Sequence, residues 1–234
     1  MISIIGPDSS NFTAIVASVA DNTYEDSIKA MDMGADIIEL RIDLIEDPIP
    51  DDLIELIHRI KLDTGLQCIA TNRIQTDGGK WNGSEQKRIE LLENVAPYVD
   101  AIDIELSTDK TILSSAIEMT KDNNCTAIIS YHNFSSTPDT ARMDEIIDSA
   151  FSVGADIAKI AVTPGSKKDV LDLLQVTLNS QKPVCTISMG KIGKHTRVIA
   201  PFYGSVLTYG YVDSPTAPGQ MRIDELRSTM EMIL

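Results

Sequence analysis

Cysteine is scarce in this 234-residue sequence, which contains only Cys68, Cys125 and Cys185. The three are widely separated, and no CxxC pair occurs. Disulfide frameworks and structural zinc sites both need cysteines that are paired, so the sequence predicts neither of them. Unpaired cysteines are typical of a reducing compartment, and we therefore expect a cytoplasmic protein.

Long apolar runs and an N-terminal basic segment are also missing. The longest apolar runs have the length of a strand, and residues 1–10, MISIIGPDSS, carry no lysine or arginine. We therefore expect neither a membrane span nor a signal peptide. No GxGxxG follows the first strand and no GxxxxGK[ST] occurs, which argues against a Rossmann or P-loop nucleotide-binding protein.

Basic residues are few, with 20 Lys and Arg against 35 Asp and Glu, for a net charge of −15. Nucleic acids and anionic membranes bind basic patches, so we expect neither as a partner. The charge is uneven, because residues 1–117 hold 22 acids and 9 bases while residues 118–234 hold 13 and 11. Residues 118–234 are therefore the better source of the basic side chains that a pocket for a small anion needs.

Short β-branched runs recur along the chain, each followed by a polar segment with helical spacing. The eight predicted strands are 13–19, 37–43, 67–73, 101–106, 126–132, 156–163, 183–189 and 205–211. The predicted helices are 24–34, 51–62, 84–96, 111–123, 143–154 and 167–180. Eight apolar strands that alternate with helices indicate a parallel sheet covered by helices. We predict an α/β fold in which residues 1–234 form a single (βα)8 TIM barrel domain.

Lys159 interrupts a strand, DIAKIAV (156–162), that otherwise has the composition of one buried on both faces. Burial disfavours the ammonium form of a lysine and leaves a neutral amine that can attack a carbonyl carbon. The alternative is a lysine that extends out of the strand end or pairs with an acid. Lys159 is the candidate nucleophile.

His132 ends the strand before the one that contains Lys159, at the height where its imidazole can exchange protons with a bound substrate. His58 lies in a polar helix and His195 in a loop, without comparable neighbours. Asp77, in the loop after the third strand, is a candidate to orient His132, although by sequence alone a plain Asp-Gly turn is the favoured explanation.

Arginines and one glutamate lie at the strand ends where barrel enzymes place catalytic groups. Arg41, Arg73 and Arg197 can donate paired hydrogen bonds to a substrate carboxylate or hydroxyl. For each of them a salt bridge with a barrel acid is the alternative, and Glu39 can pair with an arginine nearby.

Two glycine-containing segments follow the last two strands. The segment SMGKIGKHTR (188–197) ends in Arg197, and the alternative for it is a phosphate-binding loop of the kind found in barrels. The segment SPTAPGQ (214–220) contains too much proline and glycine for a helix and is predicted to be a rim loop that contributes Thr216 and Gln220.

These segments together resemble type I 3-dehydroquinate dehydratase, the Schiff-base enzyme of the shikimate pathway. The matching pieces run in the family's order across nearly the whole chain. They are ELRID (39–43), TNR with a DGG loop (71–79), DIEL (103–106), SYHNFSSTP (130–138), AKIAVTP (158–164), ISMGKIGKHTR (187–197), YGSVLTYG (203–210) and APGQ (217–220).

The resemblance implies a lyase that dehydrates 3-dehydroquinate to 3-dehydroshikimate by syn elimination. Lys159 would form the imine, and His132 would move the proton. Asp77 stands where the family usually has Glu to orient the histidine, and its shorter side chain leaves that contact open. The implied substrate ligands are Ser18, Glu39, Arg41, Arg73, Arg197, Thr216 and Gln220.

The resemblance also implies that no metal or organic cofactor is needed and, because the family is commonly dimeric, that the protein is a homodimer. Many members close the bottom of the barrel with an N-terminal hairpin, for which residues 1–10 supply only a reduced version.

Three other functional hypotheses remain at this point. A class I aldolase also uses a lysine in the sixth strand of a barrel, but it would need a phosphate site. A non-catalytic barrel that binds a small acid would bind without forming an imine. A structural or protein-binding module would show an exposed apolar stripe, and none is visible in the sequence.

Overall fold

The computed structural model describes residues 13–20 and 22–233 of the chain. Its nine strands are β1 (Ala14–Val19), β2 (Ile37–Arg41), β3 (Gln67–Thr71), β4 (Ala101–Glu105), β5 (Thr126–Asn133), β6 (Ile157–Val162), β7 (Val184–Ser188), β8 (Leu207–Tyr211) and β9 (Met221–Arg222). Its helices are α1 (Thr23–Asp32), α2 (Pro50–Thr64), α3 (Glu85–Val95), α4 (Lys110–Asp122), α5 (Thr140–Val153), α6 (Lys167–Asn179), α7 (Gly190–Gly193), α8 (Thr196–Phe202) and α9 (Ile223–Ile233). The N-terminal hairpin expected within residues 1–10 lies outside the described residues.

All nine strands form one parallel sheet in the order β7-β6-β5-β4-β3-β2-β1-β8-β9. The sheet closes between β7 and β8, where Val184 and Ser205 form an isolated parallel bridge. There the amide of Val206 donates to the carbonyl oxygen of Val184 at 2.8 Å. The predicted (βα)8 barrel is therefore confirmed, with β9 as a short additional strand beside β8.

The strands form because β-branched and aliphatic residues dominate them, and the helices form because their apolar residues repeat with helical spacing. In α5, for example, Met143, Ile146, Ile147 and Ala150 are buried against the sheet. The helix ends at Gly154, whose φ of 110° is a left-handed conformation that residues with a Cβ rarely adopt.

The barrel interior is apolar at the N-terminal end of the strands and polar further along. Its lower layers contain aliphatic side chains such as Val16, Ile37, Ile128 and Ile157, all essentially inaccessible to solvent. Two residues further along the same strands, the inward side chains are polar. They include Ser18, Glu39, Ser130 and Lys159. This change in polarity places the functional end of the barrel at the carboxyl ends of the strands.

Candidate active site

A cavity of about 170 Å³ lies at the carboxyl end of the barrel. It brings together all ten residues that the sequence singled out, although they come from strands and loops spread over two hundred positions. These are Ser18, Glu39, Arg41, Arg73, Asp77, His132, Lys159, Arg197, Thr216 and Gln220. The cavity is also lined by apolar groups, among them Phe134, Ile187, Met189 and Tyr209.

Lys159 lies in the middle of β6 with 5% of its surface exposed. Its Nζ lies 2.9 Å from Oδ2 of Asp103 and 3.7 Å from Oε1 of Glu39, and the ring centroid of Tyr209 is 4.0 Å away. The pairing with an acid that was the alternative interpretation is thus present. Lys159 also lines the cavity, so its amine is placed both to pair with an acid and to reach a bound substrate.

The two carboxylates beside Lys159 are themselves fixed by other groups. Oδ1 of Asp103 lies 2.8 Å from Nη2 of Arg73 and accepts a hydrogen bond from Ser130 at 2.6 Å. Burial alone would raise the pKa of Asp103, but Arg73 and Lys159 outweigh it and lower the pKa far below its usual range. Asp103 is therefore a permanent anion, and Arg73 neutralises it independently of Lys159.

Glu39 is held in β2 by two hydroxyls from neighbouring strands. Ser18 donates to its Oε2 at 2.5 Å, and Thr71 donates to its Oε1 at 2.9 Å. Burial raises the pKa of this carboxyl, but the charges of Lys159 and Arg41 outweigh that effect and lower the pKa below its ordinary value. Glu39 thus presents a second negative charge to the cavity.

His132 lies at the end of β5, two residues beyond Ser130, which is the register partner of Lys159 on β6. Its imidazole is therefore one layer above the amine. Burial, followed by the positive charge of Arg73, lowers the pKa of His132 to about 4, despite the opposing effect of Asp77. The imidazole is consequently neutral at neutral pH and has a free lone pair to accept a proton.

Asp77 approaches His132 from the loop after β3. Its Oδ2 lies 3.4 Å from Nδ1 of His132, and that nitrogen has no aligned hydrogen-bond partner among the described residues. The shorter carboxylate therefore gives charge proximity without a formed hydrogen bond. The ring of Phe134 packs on Gly78, where an added Cβ would lie 2.3 Å from Cζ, and this contact fixes the distance between the two loops.

Arg41 and Arg73 line the cavity but are also engaged in salt bridges, as the alternative for each predicted. Arg41 pairs with Asp43 through two parallel hydrogen bonds of 2.8 Å. Asp43 also accepts hydrogen bonds from the backbone amides of Arg73 and Lys80. It therefore orients both Arg41 and the loop that follows β3. This contact fixes the guanidinium of Arg41 at the cavity wall.

Arg197 differs from Arg41 and Arg73 because no acid pairs with it among the residues that the structure describes. Its guanidinium, 2% exposed, donates to the carbonyl oxygens of Tyr209 and Gly219 at 2.9 Å and of Pro218 at 3.3 Å. Burial without a compensating carboxylate lowers the pKa of Arg197 to about 10. A buried cation of this kind, at the wall of a cavity, has the charge and the position to bind an anion.

The rim loop after β8 is braced internally. Oε1 of Gln220 accepts hydrogen bonds from the backbone amides of Thr216 at 2.6 Å and Ala217 at 3.1 Å. Its Nε2 donates to the hydroxyl of Thr216 at 3.1 Å. Both predicted loop residues therefore lie at the cavity, with the amide of Gln220 already bonded to its own loop.

Several residues that shape the site were not singled out from the sequence. Asp43 orients Arg41, Thr71 and Ser130 hold the two carboxylates, and the Tyr209 ring covers the amine. Alternation along the predicted strands gives a signal for two of them, since Thr71 and Ser130 lie two positions from Arg73 and His132 and therefore face the same way. Asp43, which follows the end of β2, has no such signal.

Within residues 13–20 and 22–233, no group of three His, Cys, Asp or Glu side chains is arranged to hold a metal ion. Over the same part of the chain, no helix is long and apolar enough to span a bilayer.

Known proteins resemble this chain over nearly its whole length. The family model for type I 3-dehydroquinase matches residues 12–234. The chain is 46% identical over 220 residues to the 3-dehydroquinate dehydratase of Methanococcoides burtonii, covering 94% of each chain. It is 33% identical to the solved 3-dehydroquinate dehydratase of Aquifex aeolicus, with a TM-score of 0.86 and coverage of 95% of this chain and 99% of the other.

A second solved relative is the type I 3-dehydroquinate dehydratase of Clostridium difficile, whose structure is described with covalent modified comenic acid. It is 27% identical, with a TM-score of 0.87 and coverage of 96% of this chain and 93% of the other. The resemblance identified from the motifs is confirmed by the family match and by these relatives. The chain belongs to the type I 3-dehydroquinase family.

Proposed function

We propose that the protein dehydrates 3-dehydroquinate to 3-dehydroshikimate by syn elimination, through an imine on Lys159. Membership in the family makes it a dehydratase, and its relatives are named for this substrate. The observation that carries the imine is the amine of Lys159, buried at the cavity beside an aspartate that Arg73 already neutralises. Covalent modified comenic acid in the Clostridium difficile relative supports covalent chemistry.

The first step is attack by the neutral amine on the ketone carbon of the substrate. A C–N bond forms, and one amine proton passes to the ketone oxygen. The proton that the ammonium group gave up before the attack then returns to this oxygen, which leaves as water, so that a positively charged imine stands in place of the ammonium group. The carboxylates of Asp103 and Glu39 and the ring face of Tyr209 surround this nitrogen. They stabilise its positive charge as they stabilise the ammonium of Lys159.

The elimination is assigned to His132. With its pKa lowered to about 4, the imidazole is unprotonated at neutral pH. In this form it accepts the proton from the carbon next to the imine, and the C–H electrons pass into an enamine. The imidazolium then donates that proton to the departing hydroxyl, which leaves as water from the same face. The Asp77 carboxylate, 3.4 Å away, stabilises the charge on the ring in between. Hydrolysis of the product imine returns the Lys159 amine.

The remaining cavity residues are assigned to substrate binding. Arg197 is the ligand for the substrate carboxylate, because it is the arginine of the cavity that has no acidic partner in the described residues. The groups proposed to hold the ring hydroxyls and the carboxylate edge are Ser18, Glu39, Arg41, Arg73, Thr216 and Gln220.

Reduction with borohydride tests the imine directly. The purified protein is incubated with 3-dehydroquinate and borohydride, and its intact mass and peptide map are measured. We expect one substrate-sized adduct on Lys159, none in Lys159→Ala, and an unchanged adduct in Lys182→Ala, whose lysine pairs with Asp148 on the surface. The rise in enone absorbance of an unreduced sample measures turnover in parallel.

The outcomes separate the competing functions. Turnover without any adduct would remove the imine from the mechanism while leaving the dehydratase intact. An adduct with a sugar phosphate and none with 3-dehydroquinate would favour the aldolase. Binding without adduct or turnover would favour the non-catalytic barrel.

Assembly and location stay predictions of the sequence. We expect a homodimer in the cytoplasm that binds a small-molecule substrate and needs no nucleic acid, membrane or cofactor. Sedimentation equilibrium tests the dimer, since a particle with the mass of one chain would contradict it.

A further inference from the structure

Arg88 is a fully buried arginine on the outer helix α3, and it does not line the active-site cavity. Its Nη1 lies 2.7 Å from Oε2 of Glu105 and donates to the carbonyl oxygen of Asn72 at 2.9 Å. The same guanidinium donates twice to Glu85, at 2.7 and 2.8 Å, and once to Thr108 at 3.0 Å. All five contacts hold it rigidly between the helix and the end of β4.

A continuous chain of buried charges runs from this arginine to the reacting amine. Glu105 presents its second oxygen to Nη1 of Arg73 at 3.1 Å. Nη2 of Arg73 lies 2.8 Å from Oδ1 of Asp103, and Oδ2 of Asp103 lies 2.9 Å from Nζ of Lys159. Each member is at most 5% exposed, so solvent screens these interactions weakly.

Arg73 is the shared member of the chain, because it faces two carboxylates at once. Burial opposes its charge, but Asp103 and Glu105 together raise the pKa of Arg73 above its usual value. As long as Arg88 neutralises Glu105, Arg73 can neutralise Asp103. Without Arg88, Glu105 would draw Arg73 toward itself, and Asp103 would retain more negative charge for Lys159.

We propose that Arg88 is a positioning residue for the reaction, which keeps the amine of Lys159 available as a nucleophile by acting through Glu105, Arg73 and Asp103. This inference rests on the imine mechanism proposed above. It assigns to a helix residue outside the cavity a part in setting the negative charge that faces the amine.

The amine has ionisable neighbours on every side, and only some of them are connected to Arg88. Around Lys159 the charged or ionisable groups are Glu39 on β2, Asp103 on β4, His132 on β5, Cys185 on β7 and Tyr209 on β8. Arg73 lies behind Asp103. Among the described residues, only Asp103 is linked to Arg88 by ion pairs that do not pass through Lys159, so a change at the helix reaches the amine by that carboxylate.

The test is the pH dependence of borohydride trapping by 3-dehydroquinate, measured as an initial rate from pH 5 to 10. In Arg88→Met we expect the midpoint of the profile to move up by about one pH unit, so that trapping below the midpoint falls about tenfold. Arg88→Lys keeps the positive charge and should recover most of that loss. Arg227→Met is the matched control, because Arg227 on α9 pairs with Asp36 at 2.7 Å, far along the chain from this network.

Glu105→Gln provides a second variant with the opposite expected sign. Removal of the Glu105 charge leaves Arg73 wholly to Asp103, so the midpoint should move down. An unchanged midpoint in Arg88→Met would overturn the inference. If Arg88→Met does not fold, a midpoint in Glu105→Gln that stays the same or moves up would overturn it instead. Failure of the wild-type protein to form any adduct would instead contradict the imine itself.

Discussion

Asp77 offers a sharp quantitative test of the site, because it acts on His132 by charge without a formed hydrogen bond. In the proposed mechanism His132 takes a proton from the substrate, and its ring then becomes positive 3.4 Å from Oδ2 of Asp77. Asp77→Asn keeps the size of the side chain and removes only the charge. The substitution therefore measures what the carboxylate contributes to proton transfer.

The distance sets the expected size of the effect. Two unit charges 3.4 Å apart attract by about 5 kcal/mol at an effective dielectric constant of 20 and by about 1 kcal/mol in water. The side chain of Asp77 is 11% exposed, so we expect an intermediate loss of about 2 to 3 kcal/mol. That corresponds to a fall in kcat of about 30- to 150-fold.

The assay follows the enone absorbance at saturating substrate, with borohydride trapping measured on the same samples. Asp77→Asn should trap the substrate on Lys159 while turning it over slowly, because imine formation does not need the imidazolium. Asp213→Asn is the matched control, since Asp213 is a rim carboxylate that pairs with Lys29. A kcat within threefold of the wild type would show that the Asp77 charge does not reach the transition state.

Three further outcomes are expected. Arg197→Gln should raise KM about 10- to 150-fold with a smaller change in kcat, since a hydrogen bond to a charged group contributes about 1.5 to 3 kcal/mol; an unchanged KM would exclude Arg197 as the carboxylate ligand. The pKa of His132 is lowered to about 4 in the folded protein, so the unfolded chain binds the extra proton first. The contribution of this residue to the free energy of unfolding is therefore highest above pH 6.5, and it falls by about 3 kcal/mol as the pH falls from 6.5 through 4. Urea unfolding of wild type and His132→Gln should diverge in that range, and parallel curves would contradict it. Gly193→Ala should lower Tm, because its Cβ would lie 2.2 Å from the carbonyl oxygen of Ser188, whereas Gly165→Ala, with 3.5 Å to its nearest neighbour, should not.

The architecture was predictable from the sequence because each barrel strand is an apolar run buried on both faces. The region after β7 was harder, and α7, α8 and α9 were not predicted. Glycines break the pattern in 188–197, and Pro201 lies inside α8. For α9 a signal was present, since the buried residues Ile223, Leu226 and Met230 recur with helical spacing.

Site residues could be found from the sequence where a polar side chain interrupts an apolar strand, as at Lys159. The same logic does not find Arg88, because charged residues are ordinary in an outer helix. The one indication in the sequence is helical spacing, which places Arg88 on the same face of α3 as the buried residues Leu92 and Val95. Which acid it pairs with depends on Glu105, seventeen residues further along, and only the folded barrel brings the two together.

The buried charges at the carboxyl end of the barrel are better explained by chemistry than by stability. Removing one partner of a buried ion pair costs about 3 to 5 kcal/mol, yet replacing a whole set with apolar side chains is often neutral or stabilising. The lower layers of the barrel interior are apolar in this way, because Val16, Ile37 and Ile157 fill them. Where the strands reach the cavity, the interior becomes ionic within two residues, and Arg197 remains without any acid among the described residues. A barrel that needed only stability would have no reason to bury that cation, so its position argues that an anionic ligand completes the site.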